Sequence, residues 1–253
     1  MTLFGTGLVG ITTVDIGGVP HSSYAVSDQE LIVPEVSDET PSGLAEVVVS
    51  RGAEQADAAI PVGRLLLSET NSLPDNAEFV ELFVFDTTAG QKAPGVQVRG
   101  YTIVSFDGSG HVVGAVDVDA VTNSNGLLRA GVAGIALPDL VFGAAMLPND
   151  VGAVALYQGE SNLFPRGSAA RAEGLIDAVA FDADTEDTLV PSAELLEQLF
   201  ARPESRGFWD EDSGDDSQYY SVQRCFPSHV ERLDSREWRL VGPPTPGAFN
   251  GCY

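Results

Sequence analysis

The sequence predicts an all-β chain of two β-sandwich modules, with one short helix near residues 192–202. Three observations carry this. Short apolar runs with alternating polarity recur along the chain at strand-like intervals of roughly 8–12 residues. The 27 glycines and 15 prolines punctuate the chain often, as turns between short strands require. A single stretch has helical periodicity. With 253 residues and 43% hydrophobic content, the chain can bury one large core or two modest ones, and it lies outside the composition range of disordered chains.

The elements follow in order. Residues 12–16 (TTVDI) alternate and stop at Gly17-Gly18. Residues 24–26 (YAV) run into a turn at Ser27-Asp28, and residues 30–33 (ELIV) end at Pro34. Residues 45–50 (AEVVVS) form the clearest strand and stop at Arg51-Gly52. Residues 55–63 finish one unit and lead into the next, which places the boundary at Val62 or Gly63 and divides the chain into 1–62 and 63–253. In the second part, residues 65–67 (LLL) are an apolar strand, and Pro74, Asp75 and Asn76 turn the chain. Residues 79–85 put Phe79, Glu81, Phe83 and Phe85 on one face. Residues 98–106 and 111–118 flank the turn Asp107-Gly108-Ser109-Gly110 as a hairpin. Residues 151–157 and 175–181 are small-residue strands. The helix begins at Ser192, a good N-cap, with Glu194 in the first turn; Leu195, Leu196, Leu199 and Phe200 share a face, and Pro203 ends it.

The first part carries FGTGL at 4–8, VDIGGV at 14–19, VSDQELIVP at 26–34 and SGLAEVVV at 42–49. In these it resembles the IPT/TIG family of immunoglobulin-like domains. The family pattern has a further strand and a Pro-rich turn ahead of these motifs, which the sequence lacks. The resemblance therefore implies a module whose N-terminal strand is missing and whose open sheet edge invites a partner strand.

The second part carries LLLSE at 65–69, EFVEL at 78–82, GYTIV at 100–104 and NDVGAVALY at 149–157. It continues with LIDAVAF at 175–181, SVQRC at 221–225 and PTPGAFN at 244–250. In these it resembles the lamin tail domain in its secreted or bacterial-type form. The resemblance implies an immunoglobulin-like sandwich with long loops. No coiled-coil rod precedes it, so a nuclear filament role does not follow.

Charge narrows the partners. Asp and Glu number 37 against 13 Lys and Arg, a net charge of −24, and Lys92 is the one lysine. Such a surface repels phosphate backbones and anionic membranes over a Debye length of ~8 Å. Nucleic acid is not expected as a partner; cations and basic proteins are. Solubility alone would also account for the excess. No run of 18 apolar residues occurs, so no membrane insertion is expected. The first residues have neither the basic start nor the apolar core of a signal peptide.

Motifs for catalysis are sparse. His21, His111 and His229 are scattered, and none lies in a recognisable Ser or Cys nucleophile motif. Glu78 and Glu81 fall on opposite faces of a strand, which argues against an acid/base pair and for hydrogen bonding at a strand edge. Two acidic runs offer oxygen ligands of the kind calcium takes. One holds Asp210, Asp212, Asp215 and Asp216; the other holds Asp182, Asp184, Glu186 and Asp187. The first has Gly214 and Asp215 where an EF-hand would have a ligand and a glycine, so solvated acidic loops are the competing reading. Phe208, Trp209, Tyr219, Tyr220 and Trp238 serve either as core and loop anchors or as an exposed binding surface.

Cys225 and Cys252 are the only cysteines, without a zinc-type spacing. They are either a disulfide, which would restrict the unfolded chain by roughly 3 kcal/mol, or two reduced thiols. The lamin-tail resemblance implies the disulfide and hence an oxidising compartment. Together the two resemblances imply a non-catalytic extracellular or cell-surface module for adhesion, spacing or display. It would work within a larger chain or assembly and meet a protein partner or neighbouring subunit. The alternatives are an accessory domain of a secreted hydrolase, such as a nuclease or phosphatase, and a calcium-dependent binding domain.

Overall fold

A computed structural model describes residues 2–4, 6–16, 19–33, 43–62, 64–72, 77–86, 91–92, 94–133, 138–143, 146–182, 189–200, 203–210, 221–224, 235–241, 244–248 and 250. The chain is all-β, with antiparallel pairing dominant and one short α-helix among the described residues. It divides into two compact units, Met1–Arg64 with Phe85–Gln91, and Leu65–Val84 with Lys92–Tyr253.

The first unit contains β1 (Thr2–Phe4), β2 (Thr13–Ile16), β3 (Val19–His21), β4 (Tyr24–Ser27), β5 (Glu30–Ile32), β6 (Gly43–Arg51) and β7 (Glu54–Val62). They form a three-stranded sheet, β1-β5-β4, and a four-stranded sheet, β3-β2-β6-β7. The core is small. Leu31 and Val33 from one sheet and its continuation meet Val14, Ile16 and Val47 from the other. The alternation read at residues 12–16 is the cause: Val14 and Ile16 are buried and Thr13 is exposed. β7 was not legible, because its sequence EQADAAIPV has neither β-branched enrichment nor clean alternation. Its nine residues nonetheless pair with β6 from Gly43↔Val62 to Arg51↔Glu54.

The second unit contains most of β8 (Arg64–Asn71) and β9 (Phe79–Asp86), Lys92 of β10 (Gln91–Lys92), and all of β11 (Gln97–Asp107), β12 (Val112–Val121), β13 (Leu127–Gly131), β14 (Leu140–Val141), β15 (Val151–Gln158), β16 (Leu175–Asp182), α1 (Ala193–Leu199), β17 (Trp209–Asp210), β18 (Ser221–Arg224) and β19 (Trp238–Val241). One sheet runs β14-β13-β9-β8-β18-β19, with β10 beside β9; the other runs β12-β11-β15-β16-β17. Their inner faces close on one core. Val80, Leu82, Val84, Leu128 and Val222 from the first sheet pack with Ile103, Val154, Leu156, Val179 and Phe181 from the second.

The five-stranded sheet is buried on its other face as well. There Ala153 and Ala155 of β15 stand opposite Ala180 and Ala178 of β16. These small side chains leave room for Leu195, Leu199 and Phe200 to pack against them. Burying each large apolar side chain contributes roughly 1.5–3 kcal/mol. Ser192 caps the helix, its hydroxyl accepting the Leu195 N–H at 3.1 Å. The helix is shorter than its periodicity suggests. Phe200 leaves helical geometry at φ −125°, ψ 104° and is itself buried in this second cluster. Among the described residues no helix is long and apolar enough to cross a membrane.

Candidate functional site

The second unit carries charge in its interior, and two arrangements account for most of it. The first lies between the sheets. Val222 of β18 points into the core, so Arg224, two residues on, points the same way. It meets Asp177 of the opposite sheet, both residues being fully buried. The guanidinium Nη2 donates to both carboxylate oxygens at 2.9 and 2.8 Å, and its Nε donates to the Leu67 carbonyl at 3.0 Å. Asp177 also accepts the Leu67 N–H at 3.0 Å. The guanidinium stacks on the Trp238 ring, 4.7 Å from its centroid, and Trp238 is fully buried. Of the aromatic residues noted in the sequence, Trp238 is thus a core anchor, and Trp209 packs partly buried against the same core.

The second arrangement lies on the outer face of the β14-β13-β9-β8-β18-β19 sheet. Alternation again sets it. Leu128 and Ala130, Val80 and Leu82, and Val222 face inward, so Arg129, Glu81, Ser221 and Gln223 face outward. Register aligns them: Arg129 stands opposite Glu81, and Gln223 opposite Glu69. Glu69 and Glu81 nevertheless have no exposed surface, because residues 244–248 and Asn250 lie across them.

That segment is built for the task. The Ala248 N–H donates to the Thr245 carbonyl at 3.0 Å, closing a turn with Pro246 and Gly247 at its centre. Gly247 has φ +80°, the type II geometry that a proline followed by glycine favours. A Cβ there would also come within 3.0 Å of the Arg129 guanidinium. The turn aims backbone donors at the carboxylates. Glu69 accepts the Thr245 N–H at 2.9 Å and the Thr245 hydroxyl at 3.0 Å. It also accepts the Ser221 hydroxyl at 2.6 Å and the Gln223 amide at 3.0 Å. Glu81 accepts the Gly247 N–H at 2.6 Å and the Ser68 hydroxyl at 3.2 Å. Asn250 donates to the carbonyls of Ser68 and Arg224 at 2.8 and 3.0 Å.

Donor count separates the two acids. Burial raises the pKa of both, but four hydrogen bonds hold Glu69 down. Glu81 has two, and burial together with the charge of Glu69 pushes it up to about 8, against the pull of Gly247, Ser68 and Arg129. At neutral pH Glu81 holds its proton. Glu81 was expected at a strand edge; it lies mid-sheet, since β9 has neighbours on both sides.

The acidic runs meet in the topology. β16 and β17 are parallel, and Asp182 stands directly opposite Asp210. The runs therefore leave from adjacent strand ends. Asp184, Glu186, Asp187, Asp212, Asp215 and Asp216 lie outside the described residues, as do Cys225 and Cys252. No group of three or more His, Cys, Asp or Glu placed to hold a metal ion occurs among the described residues.

His111 borders a shallow cleft with Ser109, Gly110, Glu194 and Gln198. The Ser109 hydroxyl donates to Asp107 at 2.7 Å and lies 3.0 Å from His111 Nδ1. Asp107 also accepts the N–H groups of Ser109 and His111 at 3.0 and 2.9 Å, closing the hairpin turn. In a nucleophilic triad the acid orients the histidine and the serine gives its proton to that histidine. Here the acid engages the serine directly, so this is turn chemistry.

Sequence reading missed the polar cluster as a site, although its residues lie within LLLSE, EFVEL, SVQRC and PTPGAFN. The available signal was an acidic residue embedded in each of two apolar strands. No family model, curated protein or solved structure matches the chain.

Proposed function

We propose that the chain is a non-catalytic structural or interaction module of the extracellular space or cell surface, used for adhesion, spacing or display within a larger chain or assembly. The observation that carries this reading is the convergence of four separate sequence motifs on one buried polar cluster. Ser68 and Glu69, Glu81, Ser221 and Gln223, and Thr245, Gly247 and Asn250 are hydrogen-bonded to one another. Their oxygens and N–H groups hold a chain segment against a sheet, and Arg224 with Asp177 ties that sheet to its partner. This use of the motifs agrees with the lamin-tail resemblance of the second part. The IPT/TIG resemblance of the first supplies the partner: β4 is an edge strand whose Tyr24 and Val26 are both 55% exposed, a place for an added strand.

Light scattering coupled to size exclusion, with and without candidate basic partners, tests the interaction role. Self-association or a stoichiometric complex is expected; a strictly monomeric chain that binds nothing argues against it. Export rests on pairing of Cys225 with Cys252. Alkylation without reductant should leave the intact mass unchanged, and two modified thiols would argue for a reducing compartment.

The parallel register of Asp182 and Asp210 favours a second reading, calcium-dependent binding through the two acidic runs. It predicts that millimolar calcium raises the thermal midpoint and that Asp210→Asn removes the effect. No shift would sink it.

A further inference from the structure

We propose that the C-terminal residues 244–248 with Asn250 form an acid-tightened latch, which closes over Glu69 and Glu81 while the pair retains a proton and loosens as that proton is lost. The inference concerns the molecule itself and stands whether or not the module has the partner proposed above.

Geometry carries it. The two carboxyls lie on neighbouring strands beneath one turn, without exposed surface. Thr245 donates to one and Gly247 to the other. Because Pro244 and Pro246 have no N–H, these two amides, with the Thr245 hydroxyl and the Asn250 amide, are the latch's polar hold on β8, β9 and β18.

Among the described residues the charged groups around the pair are few. On β13, Arg129 faces Glu81 across the register and is itself 3.7 Å from Asp139. β18 contributes Ser221 and Gln223, neither of which titrates, and Arg224 on that strand points to the opposite face, toward Asp177. Residues 244–248 and 250 carry no ionisable side chain. Among the described residues one cation, shared with Asp139, thus faces the two acids. With both ionised, the closed latch would hold two buried carboxylates against one cation that Asp139 already engages; retaining one proton removes one of those charges. The elevated pKa of Glu81 agrees with this count.

Opening admits water, and both acids then return toward the ordinary carboxylate range. In the window between that range and about pH 8, opening releases one proton to solvent. The open fraction should therefore rise by about tenfold per pH unit.

Hydrogen exchange at the Thr245 and Gly247 amides of the full chain reads this directly. After correction for intrinsic exchange, protection should fall by about tenfold per unit between roughly pH 5 and pH 8. In Glu81→Gln, which keeps the shape and removes the Glu81 titration, protection should fall much less steeply. Protection that is independent of pH in the unsubstituted protein, or that falls equally in Glu81→Gln, overturns the latch. Infrared spectroscopy of the unsubstituted protein serves even if the variant does not fold. A protonated-carboxyl band should be present near pH 6 and disappear together with amide protection; its absence near pH 6 overturns the proposal.

Discussion

Arg129 and Glu81 face each other directly across β13 and β9, yet Glu81 holds its proton up to about pH 8. Burial outweighs the cation, which is also shared. Arg129 stands 3.7 Å from Asp139, whose carboxylate also accepts the Arg129 N–H at 2.8 Å. Meanwhile, burial and the charge of Glu69 act on Glu81 in the opposite sense, and burial is the largest influence. A cross-strand cation is insufficient when the acid is fully desolvated beside another acid.

Stability should respond to pH accordingly. The unfolded chain loses the Glu81 proton near 4.5 and the folded chain near 8, so between these values the folded state binds more protons. The contribution is fully present below about 4.5 and is lost as pH rises through about 8. Unfolding in urea at several pH values should show a fall on the order of 1 kcal/mol per unit across this window. The slope should be shallower in Glu81→Gln, which should match or exceed the unsubstituted protein at pH 8.

Gly247→Ala should destabilise through two causes, a positive φ and a Cβ within 3.0 Å of Arg129. The conformational cost alone is about 1–2 kcal/mol. Gly95→Ala is the control, since Gly95 also has positive φ (+71°) but open space around its Cβ position. Thermal unfolding should place Gly247→Ala below Gly95→Ala; equal midpoints would mean that the turn does not approach Arg129.

Arg224→Met should leave Asp177 as a buried, uncompensated charge and cost about 3–5 kcal/mol. Adding Asp177→Leu should recover much of the loss, because apolar residues of similar volume replace buried ion pairs well. Denaturant midpoints of the two single variants and the double variant form a cycle. Additive effects would contradict a direct pair.

The strands with clean alternation or sustained apolar character were legible, and so was the helix with its Ser192 cap. β7, β13, β19 and the two-residue strands β10, β14 and β17 were not, because long-range pairing rather than local preference makes them. The outer-face cluster was half legible. Glu81 stood out among phenylalanines, but two features of its setting come from tertiary structure. Register places Arg129, Glu81, Glu69 and Gln223 across four neighbouring strands, and the far end of the sequence covers them. A tail rich in proline and glycine reads as loose when its hydrogen-bond acceptors lie more than 160 residues away.

Residues 244–248 and Asn250 belong to the second unit as a structural part. A chain ending at residue 243 tests it most directly, compared with the full chain carrying Cys252→Ser so that both lack that thiol. Removing the segment uncovers Glu69 and Glu81 and strips them of the Thr245 and Gly247 donors. A clearly lower urea midpoint at pH 6 is expected, partly restored by adding the peptide PTPGAFN. An unchanged midpoint would contradict it.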